Sequence, residues 1–254
     1  MSFLHGFKKN LNRAGQSIRR SGNDRTVDNE FDEEYERFRQ LEKKSEKLAK
    51  EAKGYLDSLR AMTQAQKRIC TILDSFYDES TPMPQSGIEY KKAIERLDEE
   101  TRTNLDNAYR NTVIEPLARF CSYFPEINEA IKRRQKKLLD YDSAKAKVRR
   151  LVDRPSEDPQ KLPRAEQEAN VARELYENLN TIIVNDLPKV VELRVPYIDP
   201  CFEALVKSQL RFSQVSYEQL ESLRNYFPPS STEADQRVDD VLQQMRELTI
   251  CGNF

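Results

Sequence analysis

Tryptophan is absent, histidine occurs once and glycine only six times in 254 residues. A lone histidine, His5, leaves no histidine-based metal site and no Cys–His or Ser–His pair to assemble. The glycines, Gly6, Gly15, Gly22, Gly54, Gly87 and Gly252, are too scattered to form a phosphate-cradling loop. Short alternating runs closed by Gly and Asn, the mark of hairpins, are missing. There is no run of about 18 apolar residues to span a membrane, and the first residues lack the apolar stretch of a secretory signal. The cysteines, Cys70, Cys121, Cys201 and Cys251, show no paired spacing. Three of them fall at or beside apolar helical positions, where a thiol acts as a small hydrophobe in a reducing compartment. Carboxylate pairs such as Glu33-Glu34, Glu99-Glu100 and Asp239-Asp240 read as solvated helix faces. The expectations are an all-α, non-enzymatic, cytoplasmic protein without cofactor or metal.

What is present is charge, at 33% of residues against 37% hydrophobic. So lean an apolar content suits long helices whose narrow apolar seams are covered by each other or by a partner chain. Net charge is −1, yet residues 1–23 hold five basic and no acidic residues, and residues 132–164 hold twelve basic and five acidic. Two basic islands on an acidic body point to an anionic partner met at defined places.

Residues 1–22 form the first island. Phe3, Leu4, Phe7, Leu11, Ala14 and Ile18 fall within an arc of about 100° at helical spacing. Lys8, Lys9, Arg13, Arg19 and Arg20 lie outside it. Such a basic amphipathic helix suits a membrane interface, with the five large apolar side chains inserting and the basic ones at the surface. A docked terminal helix and a mitochondrial presequence share the pattern. At the other end, Cys251-Gly252-Asn253-Phe254 has the outline of a prenylation box. Gly and Asn stand at its usually aliphatic positions, and no polybasic run precedes it.

Between the ends lie three long patterns with 3–4 spacing. The first runs from Val27 to Phe76 through Phe31, Tyr35, Phe38, Leu41, Leu48, Ala52, Tyr55, Leu59, Met62, Ile69 and Leu73. Ser45 and Gln66 are polar intruders in that seam, and residues 78–84 break the pattern. The second, from Ile88 to Val152, contains Pro116 and Pro125; the third, from Arg164 to Tyr226, contains Pro188, Pro196 and Pro200. Each proline is an expected kink. Thr232 with Asp235 reads as a capping box opening a short last helix through Val238, Val241, Met245 and Leu248. The architecture predicted is an elongated, kinked three-helix antiparallel coiled coil. Its divisions are residues 1–22, 23–229 and 230–254.

The second island, Lys132, Arg133, Arg134, Lys136, Lys137, Lys145, Lys147, Arg149 and Arg150, ends the second helix, with Lys161 and Arg164 across the loop. Aromatics are not interleaved to stack bases, so anionic lipid fits better than nucleic acid.

The block FPEINEAIKRRQKKLLDYD (124–142), with VIEPL (113–117) upstream, resembles the BAR domains of the amphiphysin class. With the amphipathic start, the chain is most similar to the short fungal amphiphysin-like branch that lacks an SH3 domain. The resemblance covers essentially the whole chain. It implies a crescent-shaped six-helix dimer that binds anionic phospholipid membrane, the first helix wedging into one leaflet. Arg133, Arg134, Lys136 and Lys137 match the concave-face basic block, and Lys161 and Arg164 the tip loop, which here also carries Glu157 and Asp158. Implied too are a role in endocytosis and cortical actin organisation, a place at the cell cortex, and actin-cortex or small-GTPase regulators as partners. Homodimer and heterodimer with an SH3-bearing BAR protein both stay open. A cytoskeletal coiled-coil adaptor that binds acidic proteins without remodelling membranes is the competing reading.

Overall fold

The structure is a computed structural model describing residues 26, 28–227, 231–248 and 250. The amphipathic segment 1–22 and Cys251 therefore lie outside the described residues. Within them all regular structure is helical, as the sequence predicts.

The first helix, α1, runs from Asn29 to Asp74. Asp28 caps it: its Oδ1 accepts the Phe31 N–H at 3.1 Å, and Glu30 and Asp32 add negative charge to the first turn, where the helix dipole favours it. After α1 the Asp78 carboxylate accepts the N–H groups of Ser80 and Thr81, both at 2.9 Å, and this turn delivers the chain to α2, Gln85–Glu100.

The second pattern is a helical run divided into segments. A π-helical turn, Thr101–Leu105, follows α2; then come α3, Asp106–Tyr109, a second π turn, Arg110–Ile114, α4, Glu115–Cys121, and α5, Phe124–Asp153. The cause is legible in the spacing. Leu97, Thr101, Leu105, Tyr109, Val113 and Leu117 are all buried and each is four residues from the last. In an α-helix, with 3.6 residues per turn, each step of four over-rotates by about 40°, and five steps would carry the line to the far side. The wider π turns absorb the excess and hold the buried line on one face. Pro116 and Pro125 occupy first-turn positions of α4 and α5, and at Pro125, just past the break at residues 122–123, the missing N–H costs no hydrogen bond.

The third pattern gives α6, Lys161–Glu192, and α7, Arg194–Glu221, followed by a 3₁₀ turn at Arg224–Tyr226. Pro188 and Pro200 are carried inside α6 and α7. The interruption at Leu193 precedes Pro196, whose ring would crowd the carbonyl of Glu192. The last helix, α8, spans Ser231–Glu247 and starts one residue before the expected cap Thr232.

Packing divides the chain into two units, Met1–Gly54 with Arg110–Leu205, and Tyr55–Tyr109 with Val206–Phe254. The core of the first gathers Phe31, Phe38, Leu41, Phe120, Phe124, Ile131, Ile183 and Leu187. Phe124 meets Phe38 and Phe120 edge-on at 5.8 and 5.3 Å. Phe120 stacks on Tyr197 at 4.9 Å, and the Tyr197 hydroxyl donates to the carbonyl of Pro116 at 3.0 Å.

The second unit joins α1 to α2 through a buried carboxylate. Asp98, with no exposed surface, accepts from Gln64 Nε2 at 2.8 Å, Thr63 Oγ1 at 3.3 Å and Lys67 Nζ at 3.3 Å, with Arg102 Nε at 3.2 Å. Here the inward positions of α1 are Leu56, Leu59, Thr63 and Cys70, while Met62, Ile69, Leu73 and Phe76 stand 41–77% exposed. Two apolar faces share this half of α1, and only one is covered within the chain.

Phe38 is fully buried, so Phe38→Ala should lower the unfolding free energy by about 3–5 kcal/mol. Ser45, also buried, has a hydroxyl with no hydrogen-bond partner. Ser45→Ala should therefore be neutral or stabilising by up to about 1 kcal/mol. Urea titration of the two variants checks both, and a Ser45→Ala loss as large as that of Phe38→Ala would contradict the packing described.

Candidate membrane-binding surface

Helices α5 and α6 form a hairpin joined by residues 154–160. Its antiparallel register is visible in three contacts. Arg134 meets Asn180, Tyr141 stacks on Tyr176 at 6.1 Å, and Lys147 Nζ reaches Glu168 at 2.6 Å. Lys161 and Arg164, both exposed, thus stand beside the end of α5, in the same unit as the other basic residues.

The basic block divides by helical phase. Lys132, Arg133, Lys136, Lys147 and Arg150 are exposed and fall within an arc of about 100° on the outer side of α5. Lys137 and Lys145 are half-buried, and exposed Arg149 lies off that arc. Glu129 is the acid nearest the start of the stripe. Its carboxyl is held below its ordinary value by the Lys132 hydrogen bond and charge first, then by the charges of Lys136 and Arg133. Ion pairs such as Lys132–Glu129 and Lys147–Glu168 are exposed on both sides and are worth little to stability, so an anionic surface can compete for these cations.

Arg134 is a correction to the sequence reading. It is 2% exposed and points into the hairpin, away from its neighbours. Its guanidinium donates to Asn180 Oδ1 at 2.5 Å, Asp28 Oδ2 at 2.6 Å and the Tyr176 hydroxyl at 3.2 Å, and lies 3.4 Å from the centre of the Phe31 ring. A buried guanidinium needs hydrogen-bond partners, and its Nε and Nη2 find them at the start of α1 and on α6. Arg134 therefore holds the fold together and cannot touch a ligand outside.

The cluster also sets the path of the chain entering α1. Two residues before Asp28, the Thr26 hydroxyl donates to Asp142 Oδ1 at 2.7 Å and accepts from Lys145 Nζ at 3.2 Å. The chain thus joins the body along α5, on the side of Lys145. Sequence reasoning missed Asp28, Tyr176, Asn180 and Thr26, since nothing local announces a partner 42 to 116 residues away. The inserting residues Phe3, Leu4, Phe7, Leu11 and Ile18, and the basic residues Lys8, Lys9, Arg13, Arg19 and Arg20, lie outside the described residues.

No group of three His, Cys, Asp or Glu able to hold a metal, and no helix long and apolar enough to cross a membrane, occurs among the described residues.

Burial pushes the Asp28 carboxyl up, but the Phe31 N–H, the Asn180 side chain and the hydrogen bond and charge of Arg134 outweigh it and hold the group below its ordinary value. The same burial pushes the Tyr176 phenol up to about 12. A carboxyl depressed in the folded state contributes stability that is present above its unfolded value, near 4, and is lost as pH falls through the lower folded value. Removing Arg134 would strand Asp28, so Arg134→Met should cost about 3–5 kcal/mol at neutral pH. Asp28→Asn should flatten the acid limb of stability below about pH 4. Thermal melts between pH 2.5 and 7 test both, and an unchanged acid limb in Asp28→Asn would remove Asp28 from this role.

Residues 7–227 match the model of the BAR domain family. The chain is 50% identical to protein hob3 of Schizosaccharomyces pombe, over 98% of this chain and 97% of that protein. It is 44% identical to the regulator of cytoskeleton and endocytosis RVS161 of Candida albicans, over 96% and 97% respectively. Among solved structures, the amphiphysin BAR domain from Drosophila superposes with a TM-score of 0.64 at 23% identity, covering 80% of this chain and 94% of that one.

Proposed function

Because this chain belongs to the BAR domain family, we propose that it is a non-enzymatic scaffold that senses or shapes curved membrane as a dimer. The observation that carries the reading is the exposed cationic stripe Lys132, Arg133, Lys136, Lys147 and Arg150 on a rigid hairpin. Lys161 and Arg164 stand at its loop end. Each cation close to an anionic leaflet contributes roughly 1 kcal/mol, screened over about 8–10 Å at physiological salt. A helix holds such charges in a fixed pattern, so the lipid surface conforms to the protein.

Residues 1–22 supply the second half of the mechanism. Burial of Phe3, Leu4, Phe7, Leu11 and Ile18 in one leaflet contributes at most about 1.5–3 kcal/mol each, less the cost of ordering the segment. The anchor of Thr26 beside Asp142 and Lys145 attaches that wedge to the cationic hairpin. The wedge spreads headgroups where the hairpin gathers anionic lipid.

Dimerisation follows from the uncovered apolar rows of the second unit. Met62, Ile69 and Leu73 on α1 with Phe76 just past its end, and Val206, Leu210, Tyr217 and Leu220 on α7, are all at least 41% exposed. Each row keeps to one side of its helix, and pairing two chains removes both from water. The Candida albicans relative is named a regulator of cytoskeleton and endocytosis, and endocytic membrane at the cell cortex, with its actin, is the setting proposed here. The second chain is another copy or an SH3-bearing BAR protein.

Arg133→Glu/Lys136→Glu/Arg150→Glu should leave the melting temperature in place and weaken co-sedimentation with anionic vesicles by at least about a hundredfold at physiological salt. Unchanged binding would move the membrane contact to another face. A parent chain that stays in the supernatant at every anionic lipid fraction would favour the adaptor reading. Phe7→Glu should leave the dimer intact while reducing tubule formation in electron micrographs. Equal tubulation would remove the wedge from the mechanism.

A further inference from the structure

Helix α8, Ser231–Glu247, lies beyond the residues that match the family. Its side chains Val238, Val241, Leu242 and Met245, with Leu248 just after it, are 44–58% exposed. They fall within an arc of about 120°. All of residues 236–248 are exposed, so the stripe leaves a continuous apolar surface open to water. A helix of 17 residues is marginal in water when unsupported. Five half-open apolar side chains in one stripe make a patch on the order of 400 Å², of the size that marks an interaction site.

Charge decides what covers the stripe. Residues 231–247 hold five acidic and two basic residues, with Asp239, Asp240 and Glu247 on the face opposite the apolar one. An anionic leaflet repels such a helix, in contrast to the basic segment 1–22. The cover is therefore protein. An arc of about 120° is also wider than the seam of a two-stranded coiled coil, and it calls for a surface built by more than one helix.

The second unit offers such a surface in its open rows on α1 and α7. Four peptide steps link Phe227, itself 54% exposed, to the start of α8, a reach of about 14 Å at most. The stripe thus begins close to the apolar surface that the dimer reading assigns to the interface, and extends it. We propose that α8 is an arm that docks its apolar stripe on a second copy of this chain, so that each protomer adds one helix to the dimer. About 400 Å² from each arm is half of the roughly 800 Å² per partner in a standard interface. The inference rests on the dimer proposed above.

The test uses the full chain. Val241→Asp/Met245→Asp places two carboxylates in the stripe, and Gln244→Asp places one beside it. Sedimentation velocity over a concentration series should show a dimer for the parent chain and for Gln244→Asp. The stripe variant should show a dissociation constant at least tenfold higher. A photoreactive residue at Leu242, in mixed copies of two masses, should give products joining the two masses and mapping to α1 or α7. A parent dimer as tight as the stripe variant overturns the inference alone, as do products confined to one copy. A parent chain that is monomeric at tens of micromolar overturns the dimer reading and this inference together.

Discussion

A guanidinium buried in a lean, highly charged chain constrains everything near it. Arg134 must find partners for its donors away from water, and it finds them in two segments distant in sequence: Asp28 before α1, and Tyr176 and Asn180 on α6. The Phe31 ring covers its flat face. A hydrophobic residue there would tolerate small slips between helices. A charged fork with directed hydrogen bonds does not, because a slip leaves an unpaired charge in the interior. The register of α1 against the hairpin is set at this point, and with it the place where the chain before Asp28 meets α5. Asp98 does the same for α1 and α2 in the second unit, with Thr63, Gln64, Lys67 and Arg102 around one carboxylate.

Around these two fixed points the apolar contacts are less exacting. Phe38, Phe120, Phe124 and Tyr197 form a chain of ring contacts through the first unit. The second unit leaves large apolar side chains in water, consistent with a half-interface in which stability and association come from the same surface. Such a protomer would have little stability of its own to lose, and its folding would depend on protein concentration.

The helical class, the breaks near residues 78 and 155, and the long patterns were legible because helical spacing repeats many times and local noise averages out. The phase of Arg134 was legible too. Ile127, Ile131, Arg134 and Leu138 follow one seam at steps of four, three and four, so the position pointed inward whatever its charge. Reading Lys132 to Lys137 as one block of charge hid that. Asp28 gave no such signal, because a partner more than a hundred residues away leaves no local trace. In the second half of α1, Met62 and Ile69 read as core since spacing reports apolarity and not which chain covers it. The partition of α2 to α5 by π turns was present as the repeated step of four from Leu97 to Leu117, a spacing easily taken for ordinary helical alternation. Residues 1–22, the most telling stretch of the sequence, lie outside the described structure, so that expectation rests on the sequence alone.

The two π turns have a consequence for how this chain tolerates changes of length. Each holds about one residue more than an α-helix of the same advance would need. A one-residue deletion between Thr101 and Ile114 could be met by reverting a π turn to α-helix, with the buried line downstream kept in phase. An insertion at the same place would have to add to a helix already over-full. The same deletion between Ile127 and Arg134 would rotate Arg134 by about 100° relative to the residues before it and draw it away from Asp28. Length changes in this protein should therefore be asymmetric, deletions near Thr101 passing more readily than insertions, and neither surviving where the guanidinium fixes the register.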